Sequence, residues 1–204
     1  RKINNNIVLV VMSGRPLDLS WEDENIPAIV QAWHLGSKSG DAIAQVLYGD
    51  YNPSGKLTMS FPRNVGQVPI YYNFKNTGRP STSIQQVTNS GYADVENSPL
   101  YSFGYGLSYT NFSYSDFSID SDKLGFDSKI NASVKIENTG FYKGKEVVQL
   151  YIRDIVGSIA RPMKELKGFK TVELAPGESE IINFEIDSSL LEFYTYNNKW
   201  EAEV

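Results

Sequence analysis

The sequence predicts an α/β segment followed by an all-β antiparallel sandwich. Near the start, Ile7–Met12 is a continuous apolar run rich in β-branched residues, typical of a strand buried on both faces of a parallel sheet. From about residue 111 onward, apolar and polar residues alternate, which is typical of strands with one face in a core. A long stretch with little periodicity, residues 63–99, separates these two patterns.

The composition is that of an ordinary globular protein with one or two domains. The chain has 204 residues, of which 41% are hydrophobic, and its net charge of −5 argues against binding to nucleic acid. Its apolar runs are far shorter than the roughly 20 residues that span a bilayer, so no membrane segment is expected. There is no cysteine and His34 is the only histidine, so neither disulfides nor a zinc site is expected, and no cofactor is implied.

The first third contains signals for further strands. Ser13–Pro16 ends the first strand, because proline cannot continue a ladder of backbone hydrogen bonds. Ile26–Trp33 is a second short apolar run, and Leu57–Phe61 alternates as a short strand should. Both fit an α/β layer that contains the first strand.

A helix is predicted between these two segments. Apolar residues recur at helical spacing up to Gly49, which ends the helix. Ser39 or Asp41 is the expected N-cap. Gly36–Gly40 could also suggest a phosphate loop, but its lysine is misplaced for that motif, so helix capping is the preferred interpretation.

The second half shows strands punctuated by turns. Turn clusters lie at Asn138–Gly140 and Ala175–Gly177, and Trp200 begins what should be one more strand. The apolar positions that alternate with polar ones fall into three groups: Ile130, Ala132, Val134 and Ile136; Val148, Leu150 and Ile152; Ile182, Phe184 and Ile186. This pattern predicts a sandwich of the immunoglobulin or fibronectin type.

Five stretches, in this order and spacing, resemble glycoside hydrolase family 3, and within it the β-glucosidases of Bacteroidetes. They cover nearly the whole chain: Val10–Leu17, Ala32–Leu57, Phe61–Asn73, Pro99–Thr110, and Val147–Arg153 together with Arg161–Phe169. The resemblance implies the C-terminal part of a family-3 α/β sandwich domain at residues 1–107, which includes a loop or linker at about 63–107. A fibronectin-III-like domain at 108–204, without its last strand, is expected to follow.

The resemblance also implies a layout for the parent enzyme. Such enzymes carry an aspartate nucleophile on an N-terminal β/α barrel and a glutamate acid/base in the second domain, and both align upstream of Arg1. The expected activity is the retaining hydrolysis of β-glucosides, with β-xylosides or other exo-substrates as alternatives. This chain would then contain no catalytic residue and would be inactive alone. Periplasmic or secreted location follows from the resemblance only.

Lys75, Asn76 and Arg79 are the candidates for substrate binding. They lie in the long polar loop beside Tyr71 and Tyr72, and loops of this length are usually functional or packed over another domain. The hypothesis is that this loop reaches the barrel and borders the sugar cleft. Packing between domains is the alternative.

Other polar residues are interpreted as structural. The resemblance implies that His34 is a strand-end residue without a chemical partner, with a role as sugar ligand or general base as the alternative. Arg15 is expected to fix its loop through an ion pair, with a functional role as the alternative. The acidic cluster Glu22–Glu24 suits a solvated first helical turn. The spacing of three further acids does not fit a calcium loop: Asp116, Asp120 and Asp122.

A second hypothesis comes from a different class of protein, a non-catalytic carbohydrate-binding or interaction module. Its basis is four tyrosines in the predicted sandwich: Tyr109, Tyr114, Tyr142 and Tyr151. Such a module should present a planar row of exposed aromatic rings and bind sugar by itself.

Overall fold

The computed structural model describes residues 3–80 and 90–203. The described residues form two compact units. Unit 1 comprises the described parts of Arg1–Tyr51 and Lys56–Gly106, and unit 2 comprises Asn52–Gly55 and the described part of Leu107–Val204. None of the helices in these residues is long and apolar enough to cross a bilayer.

Unit 1 is a small α/β layer. Its strands are β1 (Val8–Val11) and β2 (Ala28–Gln31), and its helices are α1 (Ser20–Asn25) and α2 (Ser39–Tyr48). The two strands are parallel and in register, with Val8 opposite Ala28 and Val11 opposite Gln31. The predicted strand at Ile7–Met12 is therefore present, and the run Ile26–Trp33 contains its partner.

The core of unit 1 forms around Phe61, which is fully buried. Phe61 packs with Val11 and Leu19, and its ring meets those of Trp33 and Tyr101 edge-on, with centroids 5.9 and 6.1 Å away. The predicted strand at 57–61 is wrong. The backbone makes only an isolated bridge between Phe61 and Tyr101, because its hydrogen bonds to residues 100–105 involve Leu57 and Phe61 at the two ends of the segment and form no continuous ladder.

Helix α2 confirms the predicted helix and its end, but not its cap. Gly49 follows it in the left-handed conformation, with φ of 81°, which glycine adopts without steric cost. At the other end Lys38 occupies the N-cap position and no side chain caps the helix. Instead the Lys38 ammonium lies 3.1 Å from the Asp41 carboxylate. The expected cap at Ser39 or Asp41 is therefore wrong, since Ser39 already lies inside the helix.

The loop after Phe61 is held by one buried amide. Gln67 is 1% exposed. Its side-chain oxygen accepts a 2.6 Å hydrogen bond from the Arg63 amide, and its Nε2 donates one of 2.7 Å to the Glu96 carbonyl. Arg63 in turn donates through Nε to the Ser98 carbonyl at 3.1 Å. These bonds join the two ends of the described loop, so polar side chains of the loop itself cross-link it.

Unit 2 is an antiparallel β-sandwich, as predicted. Its strands are β3 (Phe112–Ile119), β4 (Lys129–Asn138), β5 (Gly144–Ile152), β6 (Glu165–Leu174), β7 (Ser179–Asp187), β8 (Phe193–Tyr194) and β9 (Trp200–Glu201). One sheet has the order β3–β4–β7 and the other pairs β5 with β6, while β8 and β9 form a short ribbon. The strand predicted to begin at Trp200 is present as β9.

Most of the sandwich core comes from the apolar positions that alternate in the sequence. Its buried members are Ile136, Val148, Val172, Leu174, Ile182 and Phe184. The three alternating groups of the sequence lie on β4, β5 and β7 and supply four of these six residues. Burial of such side chains contributes about 1.5–3 kcal/mol each, so the alternation accounts for most of the core of unit 2.

A second buried amide closes one end of the sandwich. Asn138 is 0% exposed. Its Nδ2 donates to the carbonyls of Tyr142 at 2.8 Å and Leu174 at 2.9 Å. Its Oδ1 accepts from the Thr110 hydroxyl at 2.7 Å and the Gly140 amide at 3.1 Å. This side chain therefore ties the segment before β3, the turn between β4 and β5, and the end of β6 to the end of β4.

Candidate functional site

The carboxyl ends of β1 and β2 bring two loops together in unit 1. In parallel sheets this edge is where functional groups gather. His34 follows β2 and its Nε2 lies so close to Gly14, which follows β1, that a Cβ at Gly14 would be 3.1 Å from it. A glycine at position 14 therefore leaves room for the imidazole. His34 is exposed.

The neighbours of His34 fix these loops but add little chemistry. The Ser13 hydroxyl donates to the Arg15 carbonyl at 2.6 Å and accepts from the Arg15 amide at 3.2 Å, which closes a tight turn. Trp33 has φ of 50°, an uncommon value for a bulky residue. This edge can offer an imidazole to a neighbouring group.

The acidic cluster lies on α1, which confirms the expected first helical turn. One member is not merely solvated: Asp23 accepts a 2.5 Å hydrogen bond from the Tyr101 hydroxyl. Burial, together with this hydrogen bond, raises the pKa of Tyr101 well above its ordinary value. Asp23 thus serves as an acceptor that ties α1 to the segment after the long loop.

The predicted cleft-rim residues Lys75, Asn76 and Arg79 are all exposed. The Arg79 carbonyl accepts a 2.8 Å hydrogen bond from the Ser90 amide, which closes the described part of the loop beside Pro80. Their side chains are therefore presented to solvent on a loop whose base Gln67 anchors. The geometry leaves three polar side chains available to a ligand or to another domain.

Gln31 is a residue that the sequence interpretation missed. Both atoms of its amide group are buried and have no hydrogen-bond partner within residues 3–80 and 90–203. It ends β2 opposite Val11, whose side chain belongs to the core. The signal in the sequence is a glutamine inside the apolar run Ile26–Trp33, where a buried polar group needs a partner.

The other acidic candidates lie in unit 2. Asp120 accepts from the Asn131 amide at 2.8 Å and from its Nδ2 at 2.9 Å, which fixes it between β3 and β4. These bonds hold the pKa of Asp120 below its ordinary value. In the described part of the chain, no three acidic or histidine side chains are placed to hold a metal ion.

The tyrosines of the sandwich are engaged in different ways. The Tyr114 hydroxyl donates a 2.8 Å hydrogen bond to Glu146, and burial with this bond raises the pKa of Tyr114 well above its ordinary value. Tyr151 is half-buried, its hydroxyl donates to Gln149 at 2.6 Å, and the Lys164 ammonium lies 5.2 Å from its ring centroid. The side chains of Tyr114 and Tyr151 are therefore engaged in internal contacts.

Family models match both parts of the chain. Residues 1–109 match the glycosyl hydrolase family 3 C-terminal domain, and residues 146–204 match the fibronectin type III-like domain. The first match alone covers more than half of the 204 residues. These matches fit the α/β layer of unit 1 and the sandwich of unit 2.

Relatives and solved structures agree with this result. The chain is 49% identical to the periplasmic β-glucosidase of Salmonella typhimurium over 97% of its length. It is 41% identical to a β-xylosidase of Formosa agariphila over 91% of its length. The crystal structure of a β-glucosidase from Listeria innocua in complex with glucose matches 96% of the chain, with a TM-score of 0.90 and 39% identity.

The chain spans about a quarter of each of these proteins: 26% of the Salmonella protein, 25% of the Formosa protein and 27% of the Listeria chain. The motifs, the two folds and the family matches all lead to one assignment. This chain belongs to glycoside hydrolase family 3, of which it contains the C-terminal part and a fibronectin-III-like domain.

Proposed function

We propose that this chain is the C-terminal portion of a retaining β-glucosidase that releases terminal β-linked glucosyl residues. The observation that carries the proposal is similarity over nearly the whole chain to β-glucosidases, at 49% identity for the Salmonella protein and a TM-score of 0.90 for the Listeria structure. The intact parent would add an N-terminal β/α barrel and act on a β-glucoside or oligosaccharide.

In this proposal the catalytic nucleophile and the acid/base lie outside this chain. Retaining hydrolysis uses an ionised carboxylate that attacks the anomeric carbon and a carboxylic acid that protonates the leaving oxygen, with the two groups about 5–5.5 Å apart. We assign both to the parent upstream of residue 1. Units 1 and 2 supply a structural scaffold: a parallel strand pair, a loop held at its base by Gln67, and a sandwich.

Within this proposal, Lys75, Asn76 and Arg79 border the sugar cleft. Their exposure and their place on an internally cross-linked loop support that role. A guanidinium offers donors that match pairs of sugar oxygens, and a loop anchored at its base can hold that geometry. Packing of the loop against another domain is the competing role.

The relatives favour glucose without excluding xylose as the sugar. A β-xylosidase is 41% identical over 91% of the chain, close to the values for several β-glucosidases. The Salmonella relative is named periplasmic, which supports export of the parent across a membrane. We therefore propose glucoside hydrolysis outside the cytoplasm as the first function to test.

The test compares two proteins on aryl β-glucoside and aryl β-xyloside substrates: the 204-residue chain and the longest natural polypeptide that contains it. The proposal expects hydrolysis by the longer protein, faster on the glucoside, and none by the 204-residue chain. Robust hydrolysis by the short chain would overturn the assignment of both carboxyl groups to the missing part.

A further inference from the structure

The loop segment 64–74 of unit 1 exposes its apolar side chains and buries a polar one. The exposed apolar residues recur at every third position and together form the exposed loop face: Val65, Val68, Tyr71 and Phe74. Each of these side chains is between 57% and 74% exposed, whereas Gln67, which lies among them, is 1% exposed. Contact with water is unfavourable for apolar side chains, and several of them exposed in one short segment indicate an interaction surface.

Contacts on the inner side of the segment hold the exposed loop face outward. The Gln67 side chain accepts from the Arg63 amide at 2.6 Å and donates to the Glu96 carbonyl at 2.7 Å. The ring of Tyr72 stacks on that of Phe103, with centroids 4.1 Å apart and planes 15° from parallel. Turning the apolar side chains inward would break these contacts. The exposed loop face is therefore preorganised for a partner on its outer side.

The charge pattern of the segment indicates what kind of partner fits it. Residues 64–74 contain no charged side chain, and the charges begin at the flanking Arg63 and Lys75. The cores of protein interfaces are likewise depleted of charge and enriched in tyrosine and phenylalanine, inside a polar rim. Valine offers neither a donor nor an acceptor to the hydroxyl groups of a sugar. The exposed loop face therefore fits an apolar protein surface better than a saccharide.

The size of the exposed loop face favours a partner in the same polypeptide. A stable complex between separate proteins uses about 20–30 residues on each side, far more than four. A covalently linked partner is present at a high effective concentration, so a smaller face is sufficient. The chain spans 26% of the Salmonella relative and 27% of the Listeria chain, so about three quarters of each lies outside the matched part. A longer parent of this kind contains ample chain to cover the face.

We propose that the exposed loop face is a docking surface for the upstream part of the parent polypeptide. This inference rests on the proposed function, which supplies the longer parent. The long loop then has two parts with different roles. The uncharged segment 64–74 packs on the parent, while the polar segment beyond it, with Lys75, Asn76 and Arg79, is carried to the cleft. Docking of the first part positions the second.

Thiol labelling tests the docking surface directly. The chain has no cysteine, so Val68→Cys introduces a single thiol into the 204-residue chain. Its rate of reaction with a maleimide, followed by peptide mass spectrometry, is compared in this chain and in the longer natural protein. We expect labelling at least about tenfold slower in the longer protein, because a covered thiol reacts only when the contact opens. Lys123→Cys, at an exposed position of unit 2, is the control and should react equally fast in both.

Three outcomes of the labelling would overturn the proposal. Equal rates at Val68→Cys in the two proteins would show that the face stays open in the parent. Labelling of the longer protein that slows only after glucose is added would assign the face to substrate. Slow labelling of the 204-residue chain that becomes faster on dilution would assign it to a second copy of the chain.

A second variant tests the same contact through stability. Tyr71→Asp should lower the melting temperature of the longer protein by at least about 2 °C and leave that of the 204-residue chain unchanged, because Tyr71 is exposed in the latter. An unchanged melting temperature in both proteins would also count against docking. Neither readout requires catalysis. A longer protein that hydrolyses no glucoside would therefore refute the proposed function, while the labelling rates would still decide the docking surface.

Discussion

The Tyr101 hydroxyl donates a 2.5 Å hydrogen bond to the carboxylate of Asp23, 78 residues earlier in the chain. The same ring stacks on Tyr105 with centroids 5.4 Å apart and meets Phe61 edge-on. Tyr101 therefore connects α1, the buried centre of unit 1 and the segment that follows the long loop. A hydrogen bond with an ionised acceptor is stronger than a neutral one, so this contact has a measurable effect on stability.

Replacing Tyr101 with Phe should destabilise the chain by about 1–2 kcal/mol, because the ring contacts remain and only the hydrogen bond to Asp23 is lost. Urea denaturation followed by tryptophan fluorescence measures the change. Glu24→Gln is the matched control, since Glu24 is exposed on the same helix, and it should change stability very little. Equal stability of Tyr101→Phe and the wild type would contradict the role assigned to this bond.

Alkaline pH should weaken the fold through Tyr101 and Tyr114. Burial and hydrogen bonds to Asp23 and Glu146 raise both pKa values in the folded protein above the ordinary value of 10.0. Above about pH 10 the unfolded chain loses these protons while the folded chain keeps them. This contribution to stability is therefore complete below about pH 10 and declines as the pH rises further.

Denaturation midpoints at pH 8 and pH 11 test this effect. The wild type should lose more stability between the two values than a variant in which both tyrosines are replaced by Phe. Lysines also titrate in this range, and they do so in both proteins, so the difference between the proteins isolates the two hydroxyls. Identical losses in the two proteins would count against the raised pKa values.

Asn138→Asp should destabilise unit 2 by about 3 kcal/mol or more. The substitution keeps the acceptor for Thr110 and Gly140 but replaces the donor nitrogen with an oxygen that faces the carbonyls of Tyr142 and Leu174. Thermal melting measures the loss. Thr110→Ser retains the hydroxyl that donates to Asn138 and is the control. A melting temperature within about 2 °C of the wild-type value would contradict a structural role for the amide.

Gly140→Ala adds only a methyl group, yet it should strongly destabilise the fold. The added Cβ would overlap the Thr110 hydroxyl, which its hydrogen bond to Asn138 holds in place, and would lie 2.7 Å from the backbone nitrogen of Asn111. We expect a loss of about 3 kcal/mol, or failure to fold. At Gly55 a Cβ would meet nothing within 4 Å, so Gly55→Ala is the control. Soluble yield and thermal melting compare the two.

Arg79→Ala, made in the longer natural protein, tests the proposed cleft rim. If the guanidinium binds substrate, KM should rise by about three- to tenfold with a smaller change in kcat, as expected when an interaction shared by ground and transition states is lost. Lys123→Ala, an exposed change in unit 2, should leave both constants unchanged. Unchanged constants in Arg79→Ala would assign the loop to packing between domains.

The sandwich was predictable where one face of a strand is buried along its length. Ile130, Ala132, Val134 and Ile136 alternate on β4, where Ala132 and Ile136 are buried and Val134 packs against the core. Strand β3 was not named from the sequence, because Asp116 has φ of 52° and the register shifts between Ser115 and Ser118. The shift breaks the period of two that identifies a strand. Strand β6 was missed as well, because its first four residues are all partly buried and show no alternation.

The polar residues that hold the loops were less predictable. Gln67 and Asn138 lie in polar stretches where most side chains are exposed, yet they are 1% and 0% exposed. Each is buried because nearby backbone groups need hydrogen-bond partners, and those groups come together only after the chain has folded. The candidates Lys75, Asn76 and Arg79 follow from loop length and residue type alone, which predict exposure but not a ligand.

Asn52 shows how the two units share the polypeptide. It belongs to unit 2, far from the rest of that unit in sequence. Its Oδ1 accepts from the Ser108 hydroxyl and the Tyr109 amide, each at 2.8 Å, and its Nδ2 donates to the Lys143 carbonyl at 3.0 Å. A gene fragment that starts at Leu107 would therefore encode a sandwich that lacks Asn52 and its three hydrogen bonds. If unit 2 is fused to another protein, the tetrapeptide Asn52–Gly55 must therefore be included, either as a tethered peptide or through circular permutation.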